Sequence, residues 1–223
     1  MDNFFKVFIF SIFLLPYSVK AEIIQFNGFS HDTDTDIVVG NGLEWLQWDR
    51  TIGISWIEAN SQKDTIEDGG WEIATNSQMQ GLFSNFFSST AWDADESTSQ
   101  SYFTGIELDT EGGADLSFIS MFGDTLGDTL GTYDLAEGKR QYTGARFGDH
   151  FAPSELLNHA MVQDDFIDVL GNYRQGEARL TDQILSSTTE YIYIGAALVR
   201  TVSVPEPSIL ALMGAGLAGL GFA

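Results

Sequence analysis

The sequence predicts an α+β fold. Two helix starts with capping signals lie close together before residue 90, and runs rich in β-branched and aromatic residues, parted by Gly/Asp loops, then continue to residue 202. With 223 residues and 43% hydrophobic content, the chain is long enough to bury one core.

In chain order, Ile23-Ile24-Gln25-Phe26 reads as a first strand, and Asp32-Thr33-Asp34-Thr35-Asp36 as a polar turn before Ile37-Val38-Val39. Leu43-Glu44-Trp45-Leu46-Gln47-Trp48 reads as a short aromatic strand. Ser55 and Glu58 have capping-box spacing, so a short helix should follow and end before Asp68-Gly69-Gly70. Thr75 and Gln78 repeat the box. Met79, Leu82, Phe83 and Phe86 then fall at i, i+3, i+4 and i+7, which gives a helix one apolar face to lay on a sheet. Strands are expected at Tyr102–Leu108, Leu116–Met121, Arg140–Phe147, Ala160–Gln163 and Tyr191–Val202.

The two ends differ from this body. Residues 1–21 carry Lys6, an apolar run from Val7 to Leu15 too short to span a bilayer, and Val19 and Ala21 at cleavage-site spacing. This is the pattern of a secretory signal peptide. At the other end, Val204-Pro205-Glu206-Pro207 breaks the chain, and Ser208–Ala223 contains no charge, as a hydrophobic membrane helix would, though it is shorter than the roughly 20 residues that fill a hydrocarbon core. The expected division is therefore 1–21 signal peptide, 22–204 exported domain and 205–223 sorting segment.

Pro205-Glu206-Pro207 followed by a Gly/Ala/Leu-rich segment resembles the PEP-CTERM sorting signal of Gram-negative bacteria. The resemblance implies recognition by an exosortase-type membrane transpeptidase and processing around Pro205, Glu206 and Pro207. It also implies export across the inner membrane, a precursor transiently inserted through 208–223, and delivery to the cell surface or extracellular matrix. The family's signal ends in a basic cluster, and this sequence reaches Ala223 without one, which reads either as truncation or as impaired processing.

Charge and composition exclude several functions. Of 32 acidic residues 30 fall in residues 22–204, against eight of the ten basic ones, so the net charge of -22 sits on the exported part. Nucleic acid is not an expected partner, because phosphate binding needs clustered Lys and Arg. With no cysteine, disulfide scaffolds, Cys-based zinc sites and thiol catalysis drop out. No nucleotide-binding glycine motif occurs. His31, His150 and His159 lack ligand spacing, and no Gly-x-Ser-x-Gly elbow is present.

A second resemblance rests on Gly42-Leu43-Glu44-Trp45-Leu46, Ser55-Trp56, Gly70-Trp71-Glu72-Ile73-Ala74-Thr75, the Met79-Leu82-Phe83 helix and Ala197-Leu198-Val199-Arg200. These segments look like exported bacterial domains similar to the C-type-lectin-like fold shared with formylglycine-generating enzymes. The implied architecture is a mixed domain with two short N-terminal helices packed on antiparallel sheet and the N- and C-terminal strands paired, which would join the Ile23 strand to the Tyr191 strand. The cysteines of formylglycine-generating activity are absent, so that chemistry is not carried over.

The expected function is a non-catalytic module associated with extracellular polysaccharide. The alternatives are an exported polysaccharide hydrolase using two carboxylates and a structural or adhesive matrix protein bridged by calcium. No cofactor is expected. Calcium is the candidate cation: Asp124 and Asp128 in the repeat Gly123-Asp-Thr-Leu-Gly-Asp-Thr-Leu-Gly131 could present oxygens from a flexible loop, although solvated acidic turns are the favoured reading. The Asp32/Asp34/Asp36 run lacks the glycine and the closing glutamate of an EF-hand. Trp45, Trp56 and Trp71 read as core. Trp48 and Trp92 are the candidates for stacking on a sugar ring.

Overall fold

The computed structural model describes residues 22–93, 99–105, 113–126, 141–148, 156–167 and 171–202. Two sheets are present among them. The first runs in the order β1 (Ile23–Phe26), β2 (Phe29–Asp32), β3 (Ile37–Gly40), β4 (Leu43–Leu46), β13 (Leu198–Thr201), β5 (Glu72–Ile73). The second runs β12 (Gly195–Ala196), β7 (Tyr142–Phe147), β8 (Leu156–Gln163), β11 (Gly176–Ser186), β6 (Gln100–Gly105), and a small hairpin pairs β9 (Phe166–Ile167) with β10 (Tyr173–Arg174). The helices are α1 (Trp56–Gln62), α2 (Asn76–Phe86) and α3 (Ala114–Phe122).

Local chemistry sets the first sheet. Asn27 and Gly28 have φ of 45° and 84°, and Asn41 and Gly42 have 55° and 74°. Both pairs make two-residue hairpins whose twist matches that of the flanking strands. The register places the two turns at one end of the sheet: Phe26 faces Phe29, and Gly40 faces Leu43. At the other end, the Asp32–Asp36 turn closes on Asp32, whose Oδ1 accepts the Asp34 N–H at 3.0 Å.

The capping signals act as the sequence requires. Ser55 Oγ accepts from Glu58 N to start α1, and Thr75 with Gln78 completes a reciprocal capping box on α2. Met79, Leu82, Phe83 and Phe86 are buried, and so are Phe118, Ile119, Met121 and Phe122 of α3. Together with Phe29, Val38 and Trp45 of the first sheet and Ala145, Val162 and Leu180 of the second, they form one aromatic core. A second cluster joins Trp56 and Ala59 of α1 to Leu46, Trp71, Ile73 and Leu198.

A buried cation ties the C-terminal half to the loop that leads into α1. Arg146 is fully buried and donates to the carbonyls of Ile54 at 2.7 Å, Thr189 at 2.9 Å and Gly195 at 3.3 Å, with the Tyr191 ring 5.4 Å away. Burial pulls its guanidinium down to about 10, so it stays charged at neutral pH.

Three expectations are corrected. Leu116–Met121 belongs to a helix: its buried residues at 118, 119, 121 and 122 follow a helical face, Asp115 stands in the first turn, and Gly123 ends the helix at φ 84°. The Ile23 strand pairs with β2, not with the last strand; it is a partly exposed edge that finds its partner through a tight local turn. The apolar β13 is drawn instead between β4 and β5. Finally, the Leu43 strand ends at Leu46, and a single 3-10 turn, Trp48–Thr51, follows. Among the described residues no helix is long and apolar enough to cross a membrane. The expected signal peptide and the segment Ser208–Ala223 lie outside them.

Candidate functional site

A cavity of about 360 Å³ opens where four elements end. The C-terminus of α2 contributes Phe86 and Phe87, followed by Ser88 and Ser89; β6 contributes Tyr102 and Thr104; the start of α3 contributes Gly113, Ala114 and Asp115; and the β8–β9 turn contributes Asp164 and Asp165. Aromatic rings, hydroxyls and carboxylates thus share one concavity. Among the described residues no Lys, Arg or His lines it.

Each wall has a local cause. Asp115 sits in the first turn of α3, where a carboxylate is favoured by the unpaired N–H groups of the helix start. It is buried, its Oδ1 accepting from Leu116 N at 3.0 Å and its Oδ2 from the Thr104 hydroxyl at 2.5 Å. This short bond holds α3 to β6. It needs a glycine opposite: a Cβ on Gly176 would lie 2.2 Å from Thr104 Oγ1 and 2.5 Å from Asp115 Oδ2. The same Gly176 sits at the register shift between β11 and β6.

Asp164 follows the last residue of β8, its N–H given to the Gln141 carbonyl at 3.1 Å. Burial pushes its carboxyl up from 3.8 to about 7, and Asp115 and Asp165 push in the same direction. A protonated Asp164 shares a hydrogen bond with Asp165. Near neutral pH Asp164 can therefore donate a hydrogen bond as well as accept one. These groups do not converge as a metal site: among the described residues no group of three or more His, Asp or Glu could hold an ion.

The sequence-derived candidates lie elsewhere. Trp48 is fully buried, its ring 5.3 Å from Phe118 and 5.2 Å from Phe122. The 3-10 turn after Leu46 swings it into the core. Trp92 is 4% exposed, edge-on to Phe83 at 5.1 Å, and its indole N–H donates to the Phe87 carbonyl at 3.0 Å. Stacking on a sugar needs a free ring face, and neither tryptophan has one, so both are corrected to core residues. Trp45, Trp56 and Trp71 are buried as expected.

Asp124 Oδ1 accepts from Leu126 N at 3.0 Å and Tyr142 N at 3.4 Å, which makes it the cap of its own turn. Asp128, Pro205, Glu206, Pro207 and His150 lie outside the described residues. His31 and His159 are buried, bonded to the Thr35 carbonyl at 2.8 Å and the Tyr142 hydroxyl at 3.1 Å. Burial pulls His159 down to about 4.

The comparisons with known proteins bear on the C-terminus. The PEP-CTERM protein-sorting motif matches residues 203–223. No curated protein and no solved structure matches the chain. The motif marks an exosortase-sorted exported protein with a membrane-anchored precursor and a cell-surface destination.

Proposed function

We propose that the chain is an exosortase-sorted surface or matrix module that binds a saccharide of the extracellular polysaccharide without turning it over, using the cavity between α2, β6, α3 and the β8–β9 turn. The observation that carries this reading is the lining itself. A pyranose offers an apolar face and a ring of hydroxyls, and the cavity offers the partly exposed Tyr102 ring, next to the buried Phe86 and Phe87, with Ser88, Ser89, Thr104 and three carboxyl groups. The C-type-lectin-like resemblance is kept within this proposal, supported by the position of β13 beside β4 and β5 in the sheet of the N-terminal strands.

The test is calorimetric titration of residues 22–204 with exopolysaccharide extracted from the exporting cells. Saturable binding that is lost in Ser89→Leu, which fills the cavity from an exposed position, supports the proposal. Equal heats for both proteins sink it.

One observation favours a second reading, hydrolysis. A carboxyl near 7 beside two others is suited to general-acid work. Against it, both oxygens of Asp115 are already engaged. Release of reducing ends from the same polymer, abolished in Asp164→Asn, would establish the hydrolase.

A further inference from the structure

We infer that the cavity lies at the pole of the domain from which the sorting segment leaves, so that it engages polymer in the layer to which the protein is anchored and not polymer beyond it. The orientation rests on strand register and contacts; the identity of the ligand rests on the saccharide reading above.

The chain leaves the domain at the end of β13. Thr201 pairs with Leu43, and Val202 N donates to the Gly42 carbonyl at 3.3 Å. The exit is therefore beside the Asn41–Gly42 turn. Gly40 abuts Phe29, a Cβ on the glycine falling 2.1 Å from the Phe29 ring, and Phe29 faces Phe26 across the Asn27–Gly28 turn. Both turns thus mark one pole. From there Asn27 Nδ2 donates to the Asn85 carbonyl at 2.9 Å, and the Phe26 ring stacks on Phe86 at 5.2 Å. Phe86 is the first wall of the cavity. The opposite pole carries the Asp32–Asp36 turn, where Gln47 N donates to the Asp36 carbonyl.

The tether is short. The motif begins at residue 203, directly after Val202. The six residues from there to Ser208, where the uncharged stretch starts, span at most about 20 Å. A domain the size of residues 22–204 is roughly 40 Å across. On such a leash the domain can lie on its side, but the Asp32–Asp36 pole cannot reach the anchoring plane.

Because the chain has no cysteine, each introduced thiol is unique. The experiment places single cysteines in the full chain, in the cells that export it, at three exposed positions: Thr201→Cys and Ser84→Cys at the exit pole and Asp34→Cys at the other. A maleimide carrying a long polyethylene glycol chain is added to intact cells, and each rate is divided by that of the same purified variant, which also reports folding. The expected result is free labelling of Asp34→Cys and several-fold slower labelling of the other two. Equal normalised rates at the three sites, or slower labelling at Asp34→Cys, overturn the inference. Loss of saccharide binding in the calorimetric test leaves these rates untouched and removes only the ligand assignment.

Discussion

Replacing Asp164 by Asn should change how stability depends on pH. The Asp164 carboxyl stands at about 7 in the folded protein and near 3.8 when the chain is unfolded. Because its folded value is raised, its favourable contribution is complete below about pH 4 and is lost as pH rises toward and through 7. The full gap corresponds to about 4 kcal/mol as an upper bound. Asp164 is only half-buried, and water screens it, so a loss of about 1–2 kcal/mol is expected. Asparagine has the shape of the neutral acid, and its amide can still donate to Asp165. The variant should match wild type at pH 4 and be more stable by about 1–2 kcal/mol at pH 8. Urea unfolding followed by tryptophan fluorescence reads this directly, since all five tryptophans are buried. Parallel stability curves for the two proteins from pH 4 to 8 would refute the electrostatic account of the cavity.

Two further outcomes follow from buried groups. His159→Gln should act in the opposite direction: a histidine lowered to about 4 costs stability as pH falls below 6.5, so the variant should lose less on going from pH 7 to 5 than wild type, as measured in the same urea titrations. Trp48→Ala should cost about 3–5 kcal/mol by opening the aromatic core, and what folded fraction remains should keep its saccharide affinity by calorimetry; a selective loss of affinity would return Trp48 to the site.

The helices with caps were legible because their chemistry is local. Thr75 and Gln78 are three residues apart, and so are Ser55 and Glu58. Equally local are the dipeptides Asn27-Gly28 and Asn41-Gly42, which are strong hairpin signals, and the alternation of Glu177 and Arg179 with the buried Ala178 and Leu180 in β11. The α3 segment is ambiguous in the sequence because a short apolar run fits both periods, and only its packing on both sheets decides. The site was hidden for a different reason. Asp115 and the Asp164-Asp165 pair lie far apart in a chain with 32 acidic residues, and nothing local marks these three as the ones that burial will bring into one cavity. The loop tryptophans attracted the binding reading because exposure, too, is a tertiary property.

The charge of the exported part narrows what the cavity can hold. Among the described residues its walls supply hydroxyls and carboxyl groups but no cation, so an anionic occupant finds no counter-charge there. On the saccharide reading proposed above, sugar hydroxyls need no counter-ion, since they donate to the carboxyl groups while an apolar ring face rests on Tyr102. A uronate or sulfate group would instead meet three carboxyl groups inside and a net charge of -22 around them. At physiological ionic strength this repulsion is screened over about 8 Å, which weakens the field of the distant surface but leaves the carboxylates within the cavity in force. On the proposed saccharide reading, neutral glycans are therefore favoured over anionic ones at every salt concentration. Any anionic polymer that binds should do so only at raised salt, which is the reverse of the behaviour of a basic lectin site.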